Sequence, residues 1–251
     1  KEKDIQDTVH TAIMMAILSG LFLVVLGESA SKPMLTLMGT PDDVLDQAAL
    51  YLRIYFFGMP VLMIYNFGAA LLRAVGDTRR PLYFLFAAGA VNVVLNLFFV
   101  IQLGMGVDGV AWATVISECV SAGLIIRSLM KENGAMKLHL TKLRIVSGKL
   151  TQIVRVGLPA GMQGAIFSIS NVLIQSSINS FGSIAMAGST ASANVEGFVY
   201  NAMNAVYQTT LSFTSQNYGA GKMDRVTKIL LDCLGLVVLV GVVMGGGAVL
   251  L

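Results

Sequence analysis

The residues with chemistry to offer lie inside apolar stretches. Asn92 and Asn96 are four apart in one of them, and Thr114 and Glu118 repeat that spacing in the next. Residues four apart share a helix face, so each stretch carries a polar stripe, and Asn66 adds an amide in the stretch before. Amide and hydroxyl oxygens coordinate hard cations but do not take up a proton at physiological pH, whereas a carboxylate such as Glu118 does. Further on, Gln163, Asn171, Gln175 and Asn179 follow one slowly drifting helical face, and Ser189, Ser192, Glu196, Tyr200 and Tyr207 follow another. A single membrane Asn is ordinarily a helix-to-helix hydrogen bond of about 0.6 kcal/mol. This density points beyond that to a wet interior, with Glu118, Gln163, Asn171, Glu196 and Tyr200 as candidates for holding substrate or proton. With two His, two Cys and no clustered acids, no metal or nucleophile constellation forms, so an enzyme is not expected and no cofactor is implied.

These stripes need a scaffold, and composition names it. The 251 residues are 55% hydrophobic and 12% charged, with mean hydropathy +0.75, against about 25% charged in a soluble domain. Apolar runs close to the roughly 20 residues that span a bilayer recur at Thr8 to Leu26, Ala48 to Leu72, Leu82 to Leu103, Val107 to Leu129, Ile153 to Phe181, Ile184 to Phe213 and Val226 to Leu251, seven in all. Period-2 alternation is absent, which excludes a membrane barrel and leaves an all-α helical bundle. If the chain starts on the cytoplasmic side, fifteen of the seventeen Lys and Arg fall there, and only Lys32 and Arg53 lie opposite. The positive-inside rule turns that split into an orientation. Thus the net charge of +3 reports topology and membrane lipids rather than nucleic acid.

Along the chain, the first span holds His10 near its start, read as an interfacial residue outside the site. A loop after Glu28 leads to Pro41 with two acids behind it, a good helix start. Arg53 snorkels to the outer surface, and Pro60 favours a kink. The turn at Gly76-Asp77 is a cytoplasmic hinge, with Arg79 and Arg80 as headgroup anchors. The short link Gly104 to Gly109 makes its flanking spans antiparallel neighbours. Arg127 to Arg155 is the most basic polar stretch, and His139 within it shows no partner. Ser215 to Lys222 fails the phosphate-loop pattern and reads as a glycine-capped helix end. Lys1, Ile5 and Gly20 align with Lys222, Val226 and Gly241 at a constant offset of 221, a faint internal repeat. Cys119 and Cys233 read as small packing residues. No signal peptide is visible, and both ends are expected to be cut from a longer protein.

Four passages carry a resemblance. Leu72-Arg73-Ala74-Val75-Gly76-Asp77-Thr78-Arg79-Arg80-Pro81, Gly104-Met105-Gly106-Val107-Asp108-Gly109-Val110-Ala111-Trp112-Ala113-Thr114, Gly157-Leu158-Pro159 and Gln216-Asn217-Tyr218-Gly219-Ala220-Gly221-Lys222, in this order and spacing, resemble the multidrug and toxic compound extrusion (MATE) family. That family has twelve membrane helices in two pseudo-symmetric lobes, and this chain is similar to its third through ninth. The resemblance implies an N-lobe portion at 1–130 with four helices, a basic cytoplasmic linker at 131–152 and a C-lobe portion at 153–251 with three. It implies efflux of organic, often cationic, compounds by alternating access, driven by a sodium or proton gradient. It places Asn66, Asn92, Asn96 and Thr114 on the N-lobe cation site of sodium-linked members. Those members carry Asp where this chain has Asn96, and their first-helix acid has no counterpart here. Members that use a seventh-helix Glu are not matched either, since Gln163 to Ser170 holds no acid.

Two other readings stand beside this one. A lipid-linked oligosaccharide flippase of the same superfamily would line its cavity with basic residues, yet no Lys or Arg lies at mid-span. A seven-helix receptor or retinal protein is prompted only by the count, and Val226 to Leu251 has no mid-span Lys. The expected partners are small organic substrates, membrane lipids and the remaining helices of the same protein. The expected location is the inner (plasma) membrane, multi-pass, with the first residues and Arg127 to Arg155 cytoplasmic.

Overall fold

The computed structural model describes residues 2–37, 42–179, 181 and 183–250, without the side chains of 43, 175, 176, 179, 183–187 and 248–250. Among the described residues every regular element is helical: α1 Glu2–Leu37, α2 Asp42–Phe57, α3 Met59–Ala74, α4 Arg79–Leu97 continued by a π-helical turn Phe98–Gln102, α5 Val107–Lys131, α6 Ser147–Asn179, α7 Ser183–Gly219 and α8 Met223–Leu250. Two 3-10 turns, Gly134–Met136 and Leu140–Lys142, lie between α5 and α6. Five helices, α1, α4, α5, α6 and α8, are long and apolar enough to cross a membrane, and the bent pair α2–α3 makes a sixth span. Although α7 has 37 residues, its load of Asn194, Glu196, Asn201, Asn204 and Gln208 keeps it out of that set, so the seventh expected span rests on length alone.

Two compact units divide the chain, Lys1–Val154 and Arg155–Leu251. In the first, α1 packs on α2 and α3, while α5 packs on α2, α3 and α4. Its core joins Val9 and Ile13 of α1, Tyr65, Ala69 and Leu72 of α3, Ala122, Ile125 and Leu129 of α5, and Leu138 from the turn segment. Lipid tails are as apolar as these side chains, so close packing and hydrogen bonds hold such helices together. The outer face of α4, with Leu82, Phe86, Val93 and Val94 exposed, is left for lipid. In the second unit α7 packs along α8.

Several expectations change on contact with the coordinates. The loop expected after Glu28 is helix through Leu37, with Pro33 inside α1. Ser29 Oγ and Thr36 Oγ1 bond back to Val25 O and Lys32 O at 2.8 and 3.0 Å, and Lys32 Nζ pairs with Asp46 on α2 at 2.8 Å; this local support carries the helix across the proline. Pro41 lies outside the described residues. Arg53, expected to snorkel alone, pairs with Glu28 of α1 at 3.8 Å. The kink expected near Pro60 is a 45° break between α2 and α3, centred on Gly58. There Gly58 N–H bonds to Ile54 O and Tyr55 O at 3.3 and 3.0 Å, and Gly58 O accepts from Val61 and Leu62 at 3.0 and 3.1 Å.

Two helix ends follow the sequence closely. After α7, Gly221 takes φ +71°, Lys222 N–H bonds to Asn217 O at 2.9 Å and Ala220 N–H to Gln216 O at 3.1 Å, which is a glycine-closed helix end. After α3, Asp77 N–H bonds to Leu72 O at 3.0 Å. The paired glycines of the faint repeat differ in setting: a Cβ on Gly20 would strike the Pro60 backbone, whereas one on Gly241 would meet nothing within 4 Å.

Candidate functional site

Three of the four residues named for a cation form a hydrogen-bonded relay between α4 and α5. Asn96 Nδ2 donates to Asn92 Oδ1 at 3.0 Å, Asn92 Nδ2 donates to Thr114 Oγ1 at 3.4 Å, and Thr114 Oγ1 donates to Val110 O at 3.1 Å. The one-turn spacing of the two Asn makes the first bond, and the tight Gly104 to Gly106 link, which brings α5 back along α4, makes the second. Asn96 Oδ1 is buried and has no partner. A buried acceptor left without a donor costs about 1–3 kcal/mol, and a bound cation or water is the usual occupant of such a place. Two residues beyond Asn96, at Phe98, the helix widens into its π turn, a departure that often marks functional positions.

Asn66 is not part of this relay. The buried face of α3 is Tyr65, Gly68, Ala69 and Leu72, and Asn66, one residue off that stripe, is exposed. Glu118 is half-buried on α5 and turns toward the α2–α3 break: a Cβ on Gly58 would lie 3.4 Å from Glu118 Oε2 and 2.9 Å from Val115 Cγ2. Beside it, the buried Ser117 and Ser121 spend their hydroxyls on backbone carbonyls of Thr114 and Glu118, at 2.7 and 2.9 Å.

The second unit holds a cavity of about 860 Å³. Each of three helices gives it a stripe at helical spacing: Ala160, Gln163, Gly164 and Phe167 of α6; Tyr200, Met203, Asn204 and Tyr207 of α7; Leu230, Cys233, Leu234 and Val237 of α8. No charged side chain is among the described lining residues. Of the sequence candidates, Gln163 and Tyr200 face this cavity, while Asn171 and Glu196 are exposed and do not line it. Gln175 and Asn179 lie outside the described side chains. Asn204 and Thr210 were reachable from the sequence by the same spacing that gave Tyr200 and Tyr207; Cys233, read as a packing residue, lines the cavity from α8 instead.

On the side of the hinge, Arg80 gathers three partners. Its guanidinium pairs with Asp77 and Glu132 and donates to Ser128 Oγ at 3.0 Å, tying the hinge to the end of α5. This replaces the expected free headgroup anchor. Asp77 Oδ1 also accepts the N–H groups of Arg79 and Arg80 at 3.1 Å each. Burial pushes the Asp77 carboxyl up, but these bonds and the Arg80 charge outweigh it and hold the group below the ordinary carboxylate value.

The two histidines set aside in the sequence meet here. His10 is 3% exposed, and its Nε2 accepts the backbone N–H of His139 at 3.2 Å, with the two rings stacked 6.3 Å apart. The interfacial reading of His10 and the partnerless reading of His139 are both corrected: the helix face that buries Val9 and Ile13 carries His10 inward with them. Thr11 Oγ1 accepts Val146 N–H at 3.2 Å, Asp7 pairs with Arg144 and Asp4 with Lys149, so the segment between α5 and α6 is strapped to the start of α1. Burial first, then the charges of Lys142 and Lys137 and the neighbouring His10, lower the His139 imidazole below its ordinary value.

Comparison with known proteins gives this arrangement a family. The MatE family model matches residues 1–98 and 159–249. "Probable multidrug resistance protein YoeA" of Bacillus subtilis is 29% identical over 238 residues, covering 91% of this chain and 51% of that protein. The "FAD transporter" of Shewanella oneidensis is 26% identical over 231 residues, covering 88% of this chain and 50% of that protein. The chain thus spans about half the length of these relatives. Among solved structures, the outward-facing conformation of a multidrug resistance MATE family transporter of the MOP superfamily superposes with TM-score 0.85 at 22% identity, over 94% of this chain and 53% of that one. With matched helices in the same order and the family model covering both units, the chain belongs to the MatE family.

Proposed function

We propose that the protein to which this chain belongs exports organic, predominantly cationic compounds across the inner membrane by alternating access, using an inward sodium or proton gradient. The observation that carries this reading is the relay Asn96–Asn92–Thr114 with its partnerless Asn96 Oδ1, an oxygen-rich spot for a cation between two apolar helices. The cavity of the second unit supplies the other half. Its rings, Phe167, Tyr200 and Tyr207, offer π faces, and its polar atoms are neutral amides and hydroxyls; such a surface accepts a flat organic cation by cation–π contact. An anionic cargo, including an oligosaccharide carrier lipid, would call for basic lining groups, and none is among the described lining residues. The first residues and the basic segment Arg127 to Arg155 then lie on the cytoplasmic side, in contact with lipid headgroups and with the rest of the same protein.

The test is ethidium efflux from vesicles containing the full-length protein, under a sodium gradient and separately under a proton gradient. Asn96→Ala removes the orphan oxygen and is expected to cut gradient-driven efflux at least tenfold, whereas Glu196→Gln, away from the cavity, leaves it near the native rate. Efflux by Asn96→Ala equal to the native protein under both gradients would refute the reading.

A further inference from the structure

We infer that Glu118 is a proton-binding site that acts on the break between α2 and α3. For its place in coupling this rests on the transport reading above; the protonation itself does not.

The position is built from three helices. Pro60 has no N–H, so Phe56 O, four residues earlier, lacks the donor that a continuous helix would give it. Gly58 itself bonds to Ile54 O and Tyr55 O instead. Against this spot α1 brings Gly20, whose missing side chain makes room for Pro60, and α5 brings Glu118. Val115 Cγ2 and Glu118 Oε2, both of α5, lie 2.9 and 3.4 Å from the point where a Cβ of Gly58 would stand. Gly58 has φ −74°, which any residue adopts, so glycine is required there for room. Val115 fills that room, and the Glu118 carboxyl borders it.

The surroundings offer the carboxylate no counter-charge. Among the described residues, no hydrogen bond or ion pair reaches it. On α2 the facing ionisable groups are Tyr51 and Tyr55, and Arg53 is engaged by Glu28. On α1, no charged residue stands between His10 and Glu28; on α3, none stands between Met59 and Leu72; on α4, none stands after Arg80. On α5 itself the neighbour is Cys119, and Arg127 is nine residues on, about 14 Å along the axis. An ionisable group inside a membrane bundle that lacks a partner of opposite sign is ordinarily part of an ion or proton path. With a proton bound, Glu118 stands neutral beside the break; once the proton leaves to water, a negative charge without a partner stands there instead. Occupancy thereby sets which bend α2–α3 prefers.

The experiment is infrared difference spectroscopy of the full-length protein in lipid, driven by a pH step at constant sodium and by a sodium step at constant pH. The pH step is expected to show a protonated-carboxyl band that is lost in Glu118→Gln and displaced in Glu118→Asp; the sodium step is expected to leave that band in place. A band unchanged in Glu118→Gln overturns the inference, and so does a band that sodium removes as well as high pH does. Should Glu118→Gln fail to fold, an undisplaced band in Glu118→Asp overturns it equally. If ethidium efflux is absent from the native protein while the band is present, the transport reading falls and the proton site stands. If efflux is proton-driven and Glu118 shows no band, the reverse holds.

Discussion

His10 Nε2 accepts the backbone N–H of His139 at 3.2 Å while Nδ1 of the same ring faces Gln6 O at 2.7 Å. A carbonyl can only accept, so Nδ1 carries the proton and Nε2 is the bare nitrogen; the buried ring must be neutral for both bonds to exist.

Through His139, the strap is expected to loosen in acid. His139, with its imidazole lowered in the fold, favours the neutral form of the folded chain. Its contribution is full above the ordinary histidine range near about pH 6.5 and is lost as pH falls through it. Corrected for the intrinsic pH dependence of exchange, amide protection at His139 and Val146 should fall at least fivefold more between pH 7.5 and 5.5 than protection at Ile125. In His10→Phe, which cannot accept the bond, exchange at His139 should be fast at both pH values. Equal pH dependence in the two proteins would remove His10 from the strap.

Asp77 gives a second titration, of opposite sign. Its carboxyl is held low by Arg79 and Arg80, so its stabilisation is present at neutral pH and is lost only as pH falls below the usual aspartate value of about 3.9. Asp77→Ala removes both the ion pair and the acceptor that caps the first N–H groups of α4, those of Arg79 and Arg80, and the partly exposed pair is worth little by itself. A loss of about 1 kcal/mol is expected from the cap, read as a lower midpoint in detergent unfolding at pH 7. Near pH 3 the gap to the native protein should shrink.

Glycines that look alike in the sequence should respond in opposite ways. At Gly20 an added methyl group meets the Pro60 backbone, which cannot step aside as a side-chain tip can; overpacking of this kind costs about 1–3 kcal/mol. At Gly241, where the added group meets nothing, replacing glycine by alanine within a helix gains up to about 1 kcal/mol. Thermal unfolding of Gly20→Ala and Gly241→Ala separates the two.

That contrast also shows where sequence reasoning ends. Hydropathy and spacing were enough for the helices, the antiparallel α4–α5 pair, the break near Pro60 and the Asn92–Asn96–Thr114 grouping, because each follows from local period, proline chemistry or a short link. Asn66 could not be placed so, since which face of α3 is buried depends on Gly68 and Ala69 meeting neighbouring helices. Likewise Glu196 and Tyr200 are one turn apart and equally plausible by period, yet only Tyr200 borders the cavity. His10 with His139, and Arg80 with Glu132, are contacts across long stretches of chain between residues that carry no matching signal in either neighbourhood.

Cys233 turns the cavity into something that can be titrated. It lines the space on α8 opposite Tyr200 and Tyr207 of α7 and is half-buried, whereas Cys119 is exposed on α5 of the other unit. In a Cys119→Ser background the remaining thiol of this chain should react with N-ethylmaleimide slowly. Ethidium, occupying the cavity against the tyrosine rings, should slow the reaction further, by at least threefold at saturation. Tyr207→Ala takes away one ring, so the same protection should require more ethidium, with the half-protecting concentration rising about tenfold for a lost contact of roughly 1.4 kcal/mol. The upper range of a desolvated cation–π contact is of that size. Protection equal in Tyr207→Ala and the native protein would mean that the dye shields Cys233 from elsewhere, and the cavity of the second unit would lose its claim to the substrate.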